Sequence, residues 1–325
     1  MFGISEIAAI VVGFALLVWS ADKFVLGASG IARSLGIPTL IIGLVVVGFG
    51  TSAPEMLVGG VAAWNGNTGL AIGNAIGSNI TNLALVLGLT AIIAPMIVRS
   101  ATLRREFPVL FFLMALVAVL LIDGYLSRTD GYILLASMVG FFAWLTWAGM
   151  KSDPTDPMEQ EFEQEIPESL PLGKSIFWLL LGLALLLVGA KLIVWGAVEI
   201  ATFFGISDLV IGLTIVAIGT SLPELAASIV ASRKGEDDIA IGNLIGSNMF
   251  NLLGVIGIPA VINPATIDPP ALYRDYPAMI LITVLLFFML RRKNKEPGEV
   301  TRFKGAGLLV IYFAYITLLY FTAIK

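Results

Sequence analysis

Residues 48–55 read GFGTSAPE, and residues 217–224 read AIGTSLPE. Just downstream of each lies a second matched pair, AIGNAIGSNITNL at 71–83 and AIGNLIGSNMFNL at 240–252. Both matches share one offset of 169 residues, and across 43–88 against 212–257, 23 of 46 positions are identical without a gap. The register extends outward, pairing Gly13 with Gly182, Gly27 with Gly196, Pro95 with Pro264, and REFP (105–108) with RDYP (274–277). The chain is written twice.

Each copy holds five apolar segments: roughly 4–20, 38–63, 70–95, 106–122 and 131–150, then 173–198, 206–232, 239–262, 276–290 and 305–324. A membrane-spanning helix needs about 20 apolar residues, whereas a barrel strand would be about 10 long with alternating polarity. The composition agrees, with 58% hydrophobic residues, 13% charged and a mean hydropathy of +0.96. The expected fold is an all-α polytopic membrane protein of ten transmembrane helices, in two five-helix repeats at 1–150 and 173–325. Five is odd, so the second repeat enters the membrane inverted, an arrangement that places substrate sites near the midplane. No cleavable leader pattern precedes the first segment, which is read as a permanent helix. The stretch 151–172, with its acids and prolines, reads as a solvated linker, without the ligand spacing of a calcium loop.

The basic residues set the orientation. With the N-terminus outside, fifteen of the nineteen Lys and Arg fall in inside loops, leaving only Arg128, Lys191, Arg274 and Lys325 on the other side. Both termini are expected outside the plasma membrane, the inner membrane of a bacterial-type cell, with the 151–172 loop cytoplasmic. Cysteine and histidine are absent, which excludes disulfides, thiol chemistry and histidine proton relays.

Of the 23 Asp and Glu residues, Glu55 and Glu224 are the two placed deep inside predicted spans. An ionisable residue at that depth is expensive and marks an ion or proton pathway. Pro54 and Pro223 lack an N–H, so the Gly50 and Gly219 carbonyls, four residues back, lose their helical donors. Thr51 and Ser52 stand four and three residues before Glu55, as do Thr220 and Ser221 before Glu224, so each trio shares a helix face. Ser78 and Asn82, and likewise Ser247 and Asn251, are four apart on the following helix. Gly73 with Gly77, and Gly242 with Gly246, read as close helix-packing positions. The set is carboxylate, hydroxyl, amide and backbone oxygen, which suits calcium or sodium and is poor for zinc or copper. Two ionised glutamates match one Ca²⁺, or two to three Na⁺ with neutral ligands completing the shell.

GTSAPE with GSNITN, repeated as GTSLPE with GSNMFN, resembles the α-repeats of the calcium/cation antiporter superfamily, in its prokaryotic sodium/calcium exchanger form. The resemblance covers all ten segments. It implies an inverted-repeat exchanger that moves Na⁺ inward and Ca²⁺ outward by alternating access, with no cofactor and no covalent chemistry. Carried over by motif position, the calcium ligands are the Glu55 and Glu224 carboxylates and the Thr51 and Thr220 carbonyls. Sodium sites add the Gly48 and Ala217 carbonyls and the hydroxyls of Ser52, Ser78, Ser221 and Ser247, with Asn82 and Asn251 lining the centre. The first and sixth helices resemble the family's sliding pair. Some relatives carry aspartate at the position of Asn251; Asn in both halves leaves two central carboxylates and disfavours potassium coupling. The proton/calcium branch carries a different motif, yet glutamates can carry protons, so proton/calcium or another cation/proton exchange, such as sodium/proton, on the same scaffold is the alternative. A channel is disfavoured by the compact doubled site, and an enzyme by the lack of a nucleophile or metal cluster. Partners are confined to Ca²⁺, Na⁺ and the bilayer, with no nucleic acid, and a complete site in one chain is consistent with a monomer.

Overall fold

The computed structural model describes residues 4–35, 48–98, 101–150, 170–290 and 298–323. The first part of the second expected span (38–47) and most of the linker (151–169) lie outside the described residues. In hydrocarbon every backbone polar group must be satisfied within its own segment, and the apolar runs accordingly form helices. They are α1 (Ile4–Ser34), α2 (Gly48–Thr51 and Ala53–Trp64), α3 (Thr68–Ile93), α4 (Ala101–Leu120) and α5 (Arg128–Met150). The second half gives α6 (Leu172–Phe204), α7 (Asp208–Thr220 and Leu222–Lys234), α8 (Asp237–Ile262), α9 (Ala271–Leu290) and α10 (Arg302–Ala323).

Among the described residues six helices are long and apolar enough to cross a membrane, or seven if the two arms of α7 form one span. These are α3, α5, α6, α8, α9 and α10. The apolar part of α1 (Ile4–Ser20) and that of α4 (Glu106–Leu120) are shorter. Both α1 and α6 run well past their apolar segments, to Ser34 and Phe204.

Burial sorts the bundle into centre and periphery. The apolar windows of α3 and α8 are each 78% buried, against 22–33% for α5, α6, α9 and α10. Peripheral helices expose large apolar side chains, including Phe177 and Leu180 on α6 and Phe313, Tyr320 and Phe321 on α10. Such a surface would aggregate in water and is at home against lipid. The chain is an integral membrane protein with α3 and α8 at its heart.

Two short antiparallel ribbons tie the halves together. β1 (Met96–Val98) pairs with β4 (Gly298–Val300), Met96 opposite Val300. β2 (Tyr125–Leu126) pairs with β3 (Ala265–Thr266), Tyr125 opposite Thr266. β1 and β3 follow α3 and α8 directly and match under the 169-residue offset.

α1 lies antiparallel along α6 for most of its length. A Cβ on Gly13 would come within 2.7 Å of Ile193 Cγ1, and one on Gly27 would collide with the backbone of Leu179. The mates of these contacts under the offset are present too: a Cβ on Gly182 would lie 2.6 Å from the Phe24 nitrogen, and one on Gly196 2.8 Å from Ile10 Cγ1. No side chain fits such approaches, which is why glycine stands at all four positions. Gly73 and Gly77 press on Leu209 and Leu213 of α7 in the same way, as the spacing predicts. The matching partners of Gly242 and Gly246 fall mostly in the undescribed stretch before Gly48.

Two kinds of helix interruption surround the centre. At Ser52 and at Ser221 the helix breaks, with φ −85°, ψ −2° and φ −84°, ψ 6°. Pro54 and Pro223 occupy the first turn beyond each break, and the two arms of α7 diverge by 40°. Residues Thr81–Val86 of α3 and Asn251–Val255 of α8 adopt wide π-turns, which the sequence does not announce. Bulges of this type recur at functional sites because they turn a side chain out of its helical register. Asn82 and Asn251 ride on them.

Candidate cation-binding site

The breaks in α2 and α7 and the π-turns of α3 and α8 bring the predicted residues into one buried polar layer. Glu55, Glu224, Ser52, Ser78, Ser247, Asn82, Asn251 and Thr220 are 0% exposed, Ser221 is 1% and Thr51 7%. Gly48 and Ala217 are buried as well. Among the described residues no lysine or arginine pairs with either glutamate; Arg274 pairs instead with Asp275, in the first turns of α9.

The hydrogen bonds link all four central helices. Ser247 Oγ donates to Glu224 Oε1 at 3.0 Å and accepts from Ser52 Oγ at 2.9 Å and Asn82 Nδ2 at 3.2 Å. Across the layer the hydroxyls of Ser78 and Thr220 lie 3.4 Å apart. Thr51 Oγ1 donates back to the Gly48 carbonyl at 3.2 Å, and Thr220 Oγ1 to the Ala217 carbonyl at 3.4 Å. The halves cross over: Thr51 of α2 reaches Asn243 of α8, and Thr220 of α7 reaches Asn74 of α3.

The oxygens left over define the chemistry. Both carboxylate oxygens of Glu55, Oε2 of Glu224, Oδ1 of Asn82, Oδ1 of Asn251 and Oγ of Ser221 are buried and have no hydrogen-bond partner. A buried acceptor with no donor is costly, and with the glutamates ionised five of these six atoms can only accept. What satisfies a cage of carboxylate and amide oxygens is a hard cation.

Four site residues were missed at the sequence level. Asn74 Oδ1 accepts from Thr220 Oγ1 at 3.1 Å while its Nδ2 donates to the Glu55 carbonyl at 3.2 Å. Asn243, its mate, accepts from Thr51 Oγ1 at 3.2 Å. Asn79 accepts from Asn251 Nδ2 at 3.0 Å, and Asn248 from Asn82 Nδ2 at 3.1 Å. Their repetition in both GNxxGSN blocks was the available signal. Four further acids, Glu106, Glu236, Asp238 and Asp275, sit near helix ends but are buried all the same. Asp275 is held by Arg274 and by the Tyr315 hydroxyl at 2.9 Å.

A sequence model of the family described as "Sodium/calcium exchanger protein" matches residues 5–147 and 174–321. The chain belongs to that family. Among curated proteins, this exchanger-family chain is 48% identical to the putative antiporter CaxA of Alkalimonas amylolytica, over 96% of the chain and 97% of the relative. It is 32% identical to the sodium/calcium exchanger MaX1 of Methanosarcina acetivorans, over 96% and 97% respectively. Its fold matches that of the sodium-calcium exchanger NCX_Mj, in crystals soaked with Na⁺ and Sr²⁺, with TM-score 0.68 and 34% identity, over 98% of this chain and 99% of that one. The exchanger family is one of cation/Ca²⁺ antiporters, and membership identifies the chain as a transporter of this class.

Proposed function

We propose that the protein exchanges Na⁺ for Ca²⁺ by alternating access at a single midplane site whose anionic ligands are Glu55 and Glu224. The observation that carries this is the set of partnerless buried oxygens on Glu55, Glu224, Asn82, Asn251 and Ser221. Two carboxylates plus neutral oxygens balance one Ca²⁺, and the same cage split among monovalent ions accommodates Na⁺. Thr51 and Thr220 supply carbonyls, Gly48 and Ala217 supply carbonyls for sodium, and Ser52, Ser78, Ser221 and Ser247 supply hydroxyls. The ion names in MaX1 and NCX_Mj agree with this cargo.

The reading includes ten spans in two inverted repeats, 1–150 and 173–325, joined by the cytoplasmic linker 151–172, with both termini outside. It is supported by the antiparallel α1–α6 seam and by contacts that recur when residues are exchanged under the 169-residue offset: Thr51–Asn243 with Thr220–Asn74, and Asn82–Asn248 with Asn251–Asn79. All ligands come from one chain, so a monomer suffices.

The test is flux. Proteoliposomes loaded with Na⁺ are diluted into Na⁺-free medium containing labelled Ca²⁺, and the assay is repeated with a pH gradient alone. Na⁺-driven uptake is expected. Uptake driven only by the pH gradient would replace sodium by the proton as the coupling ion, and uptake indifferent to both would indicate a channel.

A further inference from the structure

A side-chain amide has two faces of opposite polarity, and only its oxygen can ligate a cation. An asparagine at a cation site therefore needs something to hold its NH₂ away. Asn82 and Asn251 have this property in the structure: each donates its Nδ2 to a fixed acceptor and leaves its Oδ1 buried and partnerless. The acceptors are Asn248 Oδ1 for Asn82 and Asn79 Oδ1 for Asn251.

An asparagine serves as a dependable acceptor only if its own amide is also fixed. Asn248 Nδ2 donates to the Asn79 backbone carbonyl at 3.4 Å, an atom that can only accept. Asn79 Nδ2 donates to Met279 Sδ at 3.3 Å, where a thioether likewise offers nothing but acceptance. The orientation is thus passed from two pure acceptors, through Asn79 and Asn248, to Asn82 and Asn251. Asn79 and Asn248 are each 1% exposed and stand at matching positions of α3 and α8.

We infer that Asn79 and Asn248 are positioning residues that turn the carbonyl oxygens of Asn251 and Asn82 toward the transported cation. This rests on the site reading above. The two arms are unequal, because Asn82 Nδ2 has a second acceptor in Ser247 Oγ at 3.2 Å, whereas Asn251 Nδ2 bonds to Asn79. Removing Asn79 is the sharper perturbation.

The experiment measures Ca²⁺ binding to the purified full chain in nanodiscs, for wild type, Asn79→Leu, Asn248→Leu, Asn251→Asp, and Asn79→Leu combined with Asn251→Asp. Asn79→Leu is expected to weaken Ca²⁺ by roughly tenfold or more, the scale of a lost hydrogen bond at a charged site, and Asn248→Leu by less. A carboxylate at 251 has two equivalent oxygens and needs no orienting, so adding Asn79→Leu to Asn251→Asp should cost less than about threefold. Wild-type affinity in Asn79→Leu, or the same tenfold cost in the Asn251→Asp background, overturns the inference. If Asn79→Leu does not fold, infrared difference spectra of wild type with ¹³C-labelled asparagine decide: a carbonyl shift on adding Ca²⁺ supports the positioning, and no shift overturns it. Glu55→Gln serves as the control for the site itself. Undiminished Ca²⁺ binding there overturns the site reading and this inference together, while lost binding there with an indifferent Asn79→Leu overturns this inference alone.

Discussion

Ser78 and Ser247 occupy identical motif positions, yet their surroundings differ, and substituting each by alanine should separate them. Ser247 Oγ donates to a Glu224 oxygen at 3.0 Å and accepts from Ser52 and Asn82 at 2.9 and 3.2 Å. Among the described residues Ser78 Oγ makes only long contacts, 3.4 Å to Thr220 Oγ1 and 3.5 Å to Asn74 Oδ1. A hydrogen bond to an ionised group is worth about 1.5–3 kcal/mol, while a neutral bond at the limit of distance contributes about 0.5 kcal/mol. Ser247→Ala should therefore weaken Ca²⁺ by roughly ten- to 150-fold, and Ser78→Ala by about two- to threefold. The assay is calorimetric Ca²⁺ titration at fixed pH in Na⁺-free buffer, with melting curves to confirm that both variants fold. Equal losses, or a larger loss in Ser78→Ala, would refute the idea that Glu224 is the anchored carboxylate and Glu55 the unanchored one.

Glu55→Gln and Glu224→Gln should each abolish Ca²⁺ transport while the protein remains folded, since one carboxylate cannot balance a divalent ion; retained Ca²⁺ flux in either sinks the paired-glutamate site. Gly182→Val places new atoms where even a Cβ lies 2.6 Å from the Phe24 backbone nitrogen, which cannot step aside. It should cost about 1–3 kcal/mol and lower the melting temperature in detergent; an unchanged melting curve would mean that α1 and α6 are not so closely seated. Asp275→Ala removes the acceptor of Arg274 Nε and Nη2, leaving the guanidinium its Thr322 bond, and should destabilise by about 1.5–3 kcal/mol, whereas Tyr315→Phe should cost about 1 kcal/mol. Denaturant or melting measurements that reverse this order would count against a buried latch between α9 and α10.

The doubled Thr-Ser-x-Pro-Glu was legible because it breaks the rules of a membrane helix, placing a charge and a proline where only apolar residues are cheap. The same excess announced the serine and asparagine four residues apart on α3 and α8. The supporting amides were less visible. Asn74, Asn79, Asn243 and Asn248 sit among glycines that argue for close packing, and nothing local says which amide nitrogen meets which oxygen. The π-turns at Thr81–Val86 and Asn251–Val255 were hidden for a similar reason, since a one-residue change of helical register depends on neighbouring helices rather than on propensity. The apolar segments at 4–20 and 173–198 were legible, but the full lengths of α1 and α6 were not, because hydropathy measures the thickness of hydrocarbon and not the length of a helix that continues beyond it. The unequal roles of Ser78 and Ser247 have no sequence signal at all, since the motif is the same in both copies.

The coupling of the proposed exchange would follow from the same desolvation that made the glutamates conspicuous. Glu55 and Glu224 are fully buried, no arginine or lysine pairs with them among the described residues, and hydroxyls and amides cover only part of their oxygens. A pair of bare carboxylates in such a place costs several kcal/mol per charge. The bundle can rearrange around the pair readily only when cargo has cancelled that charge, and slowly when it has not. One Ca²⁺ cancels it, and so do two Na⁺, but one Na⁺ does not. Leakage of a single ion and return of the empty site are then both penalised by the uncompensated charge. For the proposed exchanger, strict coupling would need no separate gate: it would follow from placing two acids at the centre of α2, α3, α7 and α8, with no lysine or arginine pairing with them among the described residues.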